Sequence, residues 1–229
     1  VPSIKLLDHR VTFSTGSYAD DALSDVASFS LAELENTYGT KQITSVLQCS
    51  GNRAAENICA NGPSGFSGVN YENMKCGMVA NVQWGGISLA AVMKGVYPGL
   101  QLSPGEETEG PDARYVEFHG ADGYYASVPL ARVLDDANDC LLATRMNGEL
   151  LPRDHGFPVR TLLPGIVGAR SVKWLERVVI RRGEGDSPWN NYYYKNKSLP
   201  LQSDGTFPSC QSLPINSLIL SARWTRGDT

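Results

Sequence analysis

Short apolar blocks punctuated by Gly, Pro, Asn and Asp set the pattern of this sequence, and none of them keeps a helical period for long. A first strand is expected to end near Phe13. Ser30-Leu31-Ala32-Glu33 has the Ser-x-x-Glu form of a capping box and should open a short helix that closes near Gly39. Residues 42–48, rich in Ile, Thr and Val, read as a strand that delivers Cys49 to a turn. From Asn61-Gly62-Pro63-Ser64-Gly65 to about Gly77 no period is visible, so a long loop is expected there, of the kind that is functional or mobile in compact domains. Ser88 suits the N-cap of a helix over residues 89–94, with Gly95 as its stop. Residues 103–112, acidic and marked by Pro and Gly, read as a solvated connection.

Residues 114–119 alternate as a strand, Ala121-Asp122-Gly123 is a turn, and residues 124–128 form the returning strand. Pro129 fits the first turn of a short helix through Leu134. Residues 140–146 read as another strand, closed by Asn147-Gly148, the strongest hairpin signal in the chain. Residues 172–180 are apolar enough for a buried strand, and residues 215–221 could be one more. Many short strands with few short helices predict an α+β fold with mixed β-sheets. A single terminal strand cannot make a sheet, so we expect one domain over residues 1–205 and, in 206–229, a linker and the first strand of a second unit.

The composition, 41% apolar and 19% charged over 229 residues, is that of an ordinary globular protein with a full core. The apolar runs are too short to span a bilayer. A net charge of −4 argues against a nucleic-acid surface, while leaving room for a local arginine cluster that binds a small anion. The five cysteines, at 49, 59, 76, 140 and 210, form no CxxC pair. Their odd number points to free thiols, and one disulfide remains open. The chain opens at Val1-Pro2 with no signal or transit pattern, so we expect a processed protein or a fragment, and its compartment is unreadable.

Chemistry concentrates in three places. In Leu47-Gln48-Cys49-Ser50-Gly51-Asn52-Arg53 an apolar run ends in a thiol, turn formers and a guanidinium. Gly and Asn tolerate a left-handed turn, which would present the sulfur at a strand end, where a thiolate is a nucleophile and a soft metal ligand. The alternative is a small, half-buried cysteine before a surface turn. Pro152, Arg153, Asp154, His155, Gly156, Pro158 and Arg160 crowd a second stretch. It is either a stiff loop lining a pocket or a surface excursion in which Asp154 satisfies the arginines. The third is Trp189 with the run Tyr192-Tyr193-Tyr194, followed by Lys195.

Three segments together resemble the molybdenum-cofactor domain of the sulfite oxidase and assimilatory nitrate reductase family. They are Leu47-Gln48-Cys49-Ser50-Gly51-Asn52-Arg53, the stretch from Met146 through Leu151-Pro152-Arg153-Asp154-His155-Gly156 to Arg160, and Pro164-Gly165-Ile166-Val167-Gly168-Ala169-Arg170-Ser171-Val172-Lys173-Trp174-Leu175. The resemblance runs from about residue 1 to 220. It implies that Cys49 is the thiolate ligand of a molybdenum carried by molybdopterin. It further implies that Asp122, His155, Arg160, Ser171, Val172 and Lys173 hold the pterin and its phosphate, with Arg160 and Lys173 neutralising phosphate and Val172 offering only main-chain groups. Arg53 and Tyr194 would orient the substrate anion. Lys173 as a snorkelling edge residue, and the tyrosine run as mere packing at a domain edge, are the plainer alternatives. His119 matches no family position and reads as structural.

The implied activity is two-electron oxygen-atom transfer, most simply sulfite to sulfate, with an electron acceptor such as a cytochrome or dioxygen. Ala169-Arg170-Ser171 resembles the sulfite oxidases more than the nitrate reductases. A nitrate-reductase-type enzyme is the near alternative, and a catalytically weak relative is the other. Two departures support the latter: Ala54 stands where the family carries a second arginine, and Met74 where a pocket tryptophan is expected. The resemblance also implies an immunoglobulin-like dimerisation domain beginning after residue 205, hence a homodimer for the full-length protein. It is compatible with the mitochondrial intermembrane space, the peroxisome or the periplasm.

Overall fold

A computed structural model describes residues 1–16, 23–56, 75–103, 113–196, 200–202 and 205–213. The expected long loop around residues 57–74, Met74 included, most of the acidic connection and the strand over 215–221 lie outside these.

Two five-stranded sheets carry the fold. β1 (Arg10–Gly16), β2 (Leu23–Ser30), β5 (Arg114–Gly120), β6 (Tyr125–Pro129) and β10 (Leu175–Arg182) form the first, in the order β2-β1-β10-β5-β6. Its β1–β10 pair is parallel, and the others are antiparallel. The second sheet joins β3 (Lys41–Gln48), β4 (Val79–Ser88), β7 (Leu141–Met146) and β8 (Glu149–Leu150), with β9 (Arg160–Leu162) also paired to β7. The helices are short: α1 (Leu31–Tyr38), α2 (Leu89–Val96) and α3 (Leu130–Leu134). The expected α+β fold with mixed sheets is therefore present.

Local signals did their work at the helix starts. Ser30 Oγ accepts from Glu33 N while the Glu33 carboxylate accepts from Ser30 N at 2.7 Å, closing the capping box, and Gly39 follows α1 at φ 70. Ser88 caps α2 as expected. Gly95 does not end α2, which runs on to Val96. A Cβ at Gly95 would lie 2.5 Å from the Tyr38 hydroxyl, so glycine is there to let α1 and α2 approach. Asn147 (φ 52) and Gly148 (φ 86) make the β7–β8 hairpin turn.

β4, where no strand was expected, lies between β3 and β7, and it depends on Gly86. There the register shifts, and a Cβ would overlap the Leu142 carbonyl oxygen and sit 2.7 Å from Ala143 Cα. Those neighbours are backbone and cannot swing away. We expect Gly86→Ala to cost about 2–3 kcal/mol in urea unfolding. An unchanged midpoint would show that the β4–β7 pairing relaxes freely.

The alternation along β7 divides the core. Leu142 joins Val11, Phe13, Ile87, Met93, Val116, Phe118 and Val178 in the main core, whereas Leu141 and Ala143 pack with Trp84, Leu151 and Leu162 on the opposite side. This second cluster underlies the 151–160 loop. Buried Cys140 belongs to the main core, and burial pushes its thiol up from the ordinary thiol range to about 12. The folded state therefore keeps the proton that the unfolded chain releases, and stability falls as pH rises above about 9, by up to roughly 1.4 kcal/mol per unit for one such group. Melting scans from pH 8 to 10 should show this decline, shallower in Cys140→Ser. Parallel declines would remove Cys140 as a source.

Candidate active site

Cys49 stands where β3 ends. Its N–H donates to Met78 O (3.0 Å), Asn52 Oδ1 accepts from Met78 N (3.1 Å) and Arg53 N–H donates to Lys75 O (3.2 Å), so residues 75–78 strap the turn in place. The left-handed residue is Arg53, at φ 65, rather than Gly51 or Asn52. Half-buried Cys49 receives the Gly51 N–H at Sγ, 3.4 Å away. Arg53 is paired with Glu56, at 2.6 Å from its terminal nitrogen and 2.7 Å from Nε, which offsets part of the charge it offers an anion. Ala54 is buried behind it.

The remaining candidates come from the second half of the chain. Arg160, at the start of β9, is 4% exposed; it donates to the main-chain oxygens of His155 (3.0 Å), Ser171 (2.9 Å) and Thr161 (3.3 Å) and lies 5.5 Å over the Trp84 ring. Burial pushes its pKa down to about 10, still cationic at neutral pH. Lys173 Nζ donates to Asp154 O (2.9 Å) and sits 4.2 Å over Trp174. Its pKa is lowered by burial first and then by the Arg160 charge, while Asp122 and Asp154 oppose the shift. Gly156, at φ 109, leaves room for both: a Cβ there would be 3.0 Å from Arg160 Cβ and 3.1 Å from Lys173 Cβ. Asp122 accepts from Tyr124 N in the β5–β6 turn, which is tied to this group because Ala121 N donates to Trp174 O.

Asp122, His155, Arg160, Ser171 and Lys173 are thus gathered in one region. Ser171 Oγ accepts from Leu163 N, which leaves its own proton available. Val172 differs: its side chain is in the core, its N–H donates to Arg170 O, and its carbonyl accepts from Thr161 twice. Among the ion pairs of the described residues, Asp154 pairs with neither neighbouring arginine; its carbonyl accepts from Lys173 instead. His119 contacts Glu117 at 2.7 Å and stacks on Tyr125, as a structural histidine would.

Of the three tyrosines, Tyr192 and Tyr193 are 60% and 45% exposed, whereas Tyr194 turns inward. The Tyr194 hydroxyl is raised above its ordinary pKa by burial first and by neighbouring Cys49 next, so Tyr194 remains a donor at neutral pH. Residues 208–213 close this side. Cys210 N donates to Tyr194 O (2.7 Å), Val167 N to Gln211 O (2.8 Å) and Leu213 N to Gly165 O (2.9 Å). Residues 208–213, expected to be part of a linker, are therefore hydrogen-bonded to the segments around residues 165–167 and 194–196.

Sequence reasoning quoted Arg170 within a motif but gave it no role at the site. It is fully buried, its Cζ is 5.7 Å over the Tyr194 ring, and its short turn abuts β3, since a Cβ at Gly168 would be 3.0 Å from Gln48 O. An arginine inside the apolar run from Ile166 to Leu175 was the available signal.

These residues fit a phosphate-bearing cofactor with a soft metal. Among the described residues, Arg160 and Lys173 lie near no carboxylate at ion-pair distance; neutral carbonyls hold both, leaving their charge for an anion. No group of three or more His, Cys, Asp or Glu among the described residues could hold a metal, so Cys49 would be a lone protein ligand.

The family profile described as an oxidoreductase molybdopterin binding domain matches residues 1–189. Sulfite oxidase of Gallus gallus is 40% identical over 206 residues, covering 86% of this chain and 42% of that protein. Nitrate reductase [NADH] 1 of Phaseolus vulgaris is 35% identical over 179 residues, covering 77% of this chain and 19% of that protein. The chain thus spans about two fifths or less of the length of these relatives. The sulfane dehydrogenase SoxCD of Paracoccus pantotrophus superposes with a TM-score of 0.64 at 21% identity, covering 92% of this chain and 47% of that one, and shares the fold.

Proposed function

The chain belongs to the family of oxidoreductase molybdopterin-binding domains, whose cofactor is molybdenum held by molybdopterin, and from that premise we propose that it oxidises sulfite to sulfate. The observation that carries this reading is the half-buried Cys49 thiol presented at the end of β3, backed by two cations, Arg160 and Lys173, that neutral groups alone hold. The higher identity to sulfite oxidase than to nitrate reductase supports the choice of substrate.

When bound, the molybdenum centre supplies the two-electron oxygen-atom transfer. The chain's own contributions are binding and orientation. Cys49 offers a soft thiolate. Arg160 and Lys173 take the cofactor phosphate, while Asp122, His155 and Ser171 offer directional hydrogen bonds to the pterin. Val172 serves this group by fixing the backbone between Arg170 and Lys173. Tyr194, neutral and partly desolvated, donates a hydrogen bond to the anion, and Arg53 supplies positive charge in a sheltered pocket. Electrons then pass to an acceptor such as a cytochrome or dioxygen, and the full-length protein would be a homodimer.

The test is metal analysis of protein made in a host that synthesises the cofactor, followed by parallel assays of sulfite oxidation and nitrate reduction. Molybdenum with sulfite turnover supports the proposal. Nitrate turnover without sulfite turnover rejects the substrate, and no turnover in loaded protein favours a catalytically weak or non-enzymatic relative. If Ala54→Arg then leaves sulfite turnover negligible, the weak-relative reading stands.

Glu56 offers a finer check. Because it pairs with Arg53 at 2.6 Å on a partly exposed site, Glu56→Gln should remove a negative charge beside the guanidinium and lower the KM for sulfite about threefold. A KM that rises would mean that the pair instead holds Arg53 in its working position.

A further inference from the structure

We propose that Arg170 is the positioning residue for Tyr194, a clamp that holds the ring of the substrate-facing tyrosine from inside the protein. A fully buried guanidinium is expensive unless its donors are used. One terminal nitrogen donates to Asn190 Oδ1 at 2.6 Å and Nε to Cys210 O at 3.4 Å, while the other terminal nitrogen has no hydrogen-bond acceptor. The guanidinium as a whole lies over the face of Tyr194, whose centroid is 5.7 Å from Cζ. A desolvated cation over an aromatic face uses those donors and fixes the ring.

The charge is also unspent. Among the described residues Arg170 makes no ion pair, and Glu184, which acts on it from a distance, is taken up by Lys195 (3.2 Å), Ser209 (2.6 Å), Asn190 (2.9 Å) and Gln211 (3.1 Å). Both polar partners of Arg170 reinforce the hold. Asn190 lies in the turn Trp189–Tyr193, just ahead of Tyr194, and Cys210 N donates to Tyr194 O. At its other end the Arg170 turn rests on the Gln48 carbonyl, one residue before Cys49. The Arg170 turn thus reaches from the residue before the thiol to the tyrosine.

This inference rests on the proposed function only for the role of Tyr194 toward substrate. In molybdenum-loaded protein, Arg170→Met should lower kcat/KM for sulfite about 10-fold in the wild-type background and less than about 3-fold in Tyr194→Phe, because the variant acts through the hydroxyl. Arg170→Lys, which keeps the charge should the methionine variant fail to fold, should give an intermediate loss. A purely structural arginine would instead give losses that add in the double variant, and that result overturns the proposal. Independently of turnover, 3-fluorotyrosine placed at position 194 of cofactor-free protein should show a fluorine line that shifts or splits in Arg170→Met and moves partway in Arg170→Lys. A line unmoved in both variants rejects the clamp even if sulfite oxidation is observed. A moved line in protein that does not oxidise sulfite upholds the clamp and removes only the substrate.

Discussion

Cys49→Ser should lower molybdenum-dependent sulfite turnover by about 10³-fold, roughly 4 kcal/mol of barrier, while leaving unfolding within about 1 kcal/mol of wild type. The two halves of this expectation have separate causes. In the protein the thiol receives one main-chain N–H, from Gly51 at 3.4 Å, and is only half-buried, so a hydroxyl can occupy its place without opening a cavity or stranding a donor. Toward a soft metal the exchange is severe, because a serine hydroxyl is a hard, weakly acidic ligand where a thiolate was available. Loss of an outer-shell partner alone costs 10–100-fold in metal affinity or activity, and loss of a directly bound atom should exceed that. Molybdenum content, turnover and urea unfolding measured on the same preparation decide the matter. Wild-type turnover in a metal-loaded serine variant would sink the assignment of Cys49. A large stability loss with normal metal content would mean that the thiol is a packing residue.

What could be read in advance followed the range over which the physics acts. Capping at Ser30 and Ser88 and the Asn147-Gly148 turn depend on groups a few residues apart, and all three formed where the sequence placed them. β4 was illegible for the opposite reason. Its first half is exposed, its second half is buried on both faces, and Gly85 and Gly86 carry no side chain to mark a strand. Only β3 on one side and β7 on the other make it a strand, with Gly86 admitting the β7 backbone. Gly95 misled in the same way, since its reason is the Tyr38 ring on another helix. At the site, Cys49 could be singled out as a presented thiol because the signal is one contiguous turn. Arg170 could not, since its burial depends on Asn190 and Cys210, which are 20 and 40 residues further along. Nor does sequence reveal that Glu56 is paired with Arg53, or that Val172 has already spent its main-chain groups on Arg170 and Thr161.

Arg160→Met is expected to destabilise the cofactor-free protein by about 3–4 kcal/mol and also to abolish cofactor retention, and comparison with Lys173→Met separates those effects. Arg160 is nearly fully buried, and its guanidinium gathers the carbonyls of His155, Ser171 and Thr161. Methionine fills a similar volume, so cavity formation is small, but the carbonyls of His155 and Ser171 lose a charged donor, at roughly 1–3 kcal/mol each. Arg160→Lys should recover little of this, because one ammonium cannot reach acceptors arranged for a planar fork. Lys173 is partly exposed and donates to the single carbonyl of Asp154, so Lys173→Met should cost less than about 1 kcal/mol in stability. If both cations neutralise the cofactor phosphate, the two variants lose cofactor to a similar degree despite this gap in stability. Urea unfolding of cofactor-free protein and pterin released per protein after desalting give the two readings. Retention that tracks stability, with Lys173→Met fully loaded, would make Arg160 a structural pin for the 151–160 loop and remove Lys173 from the phosphate site.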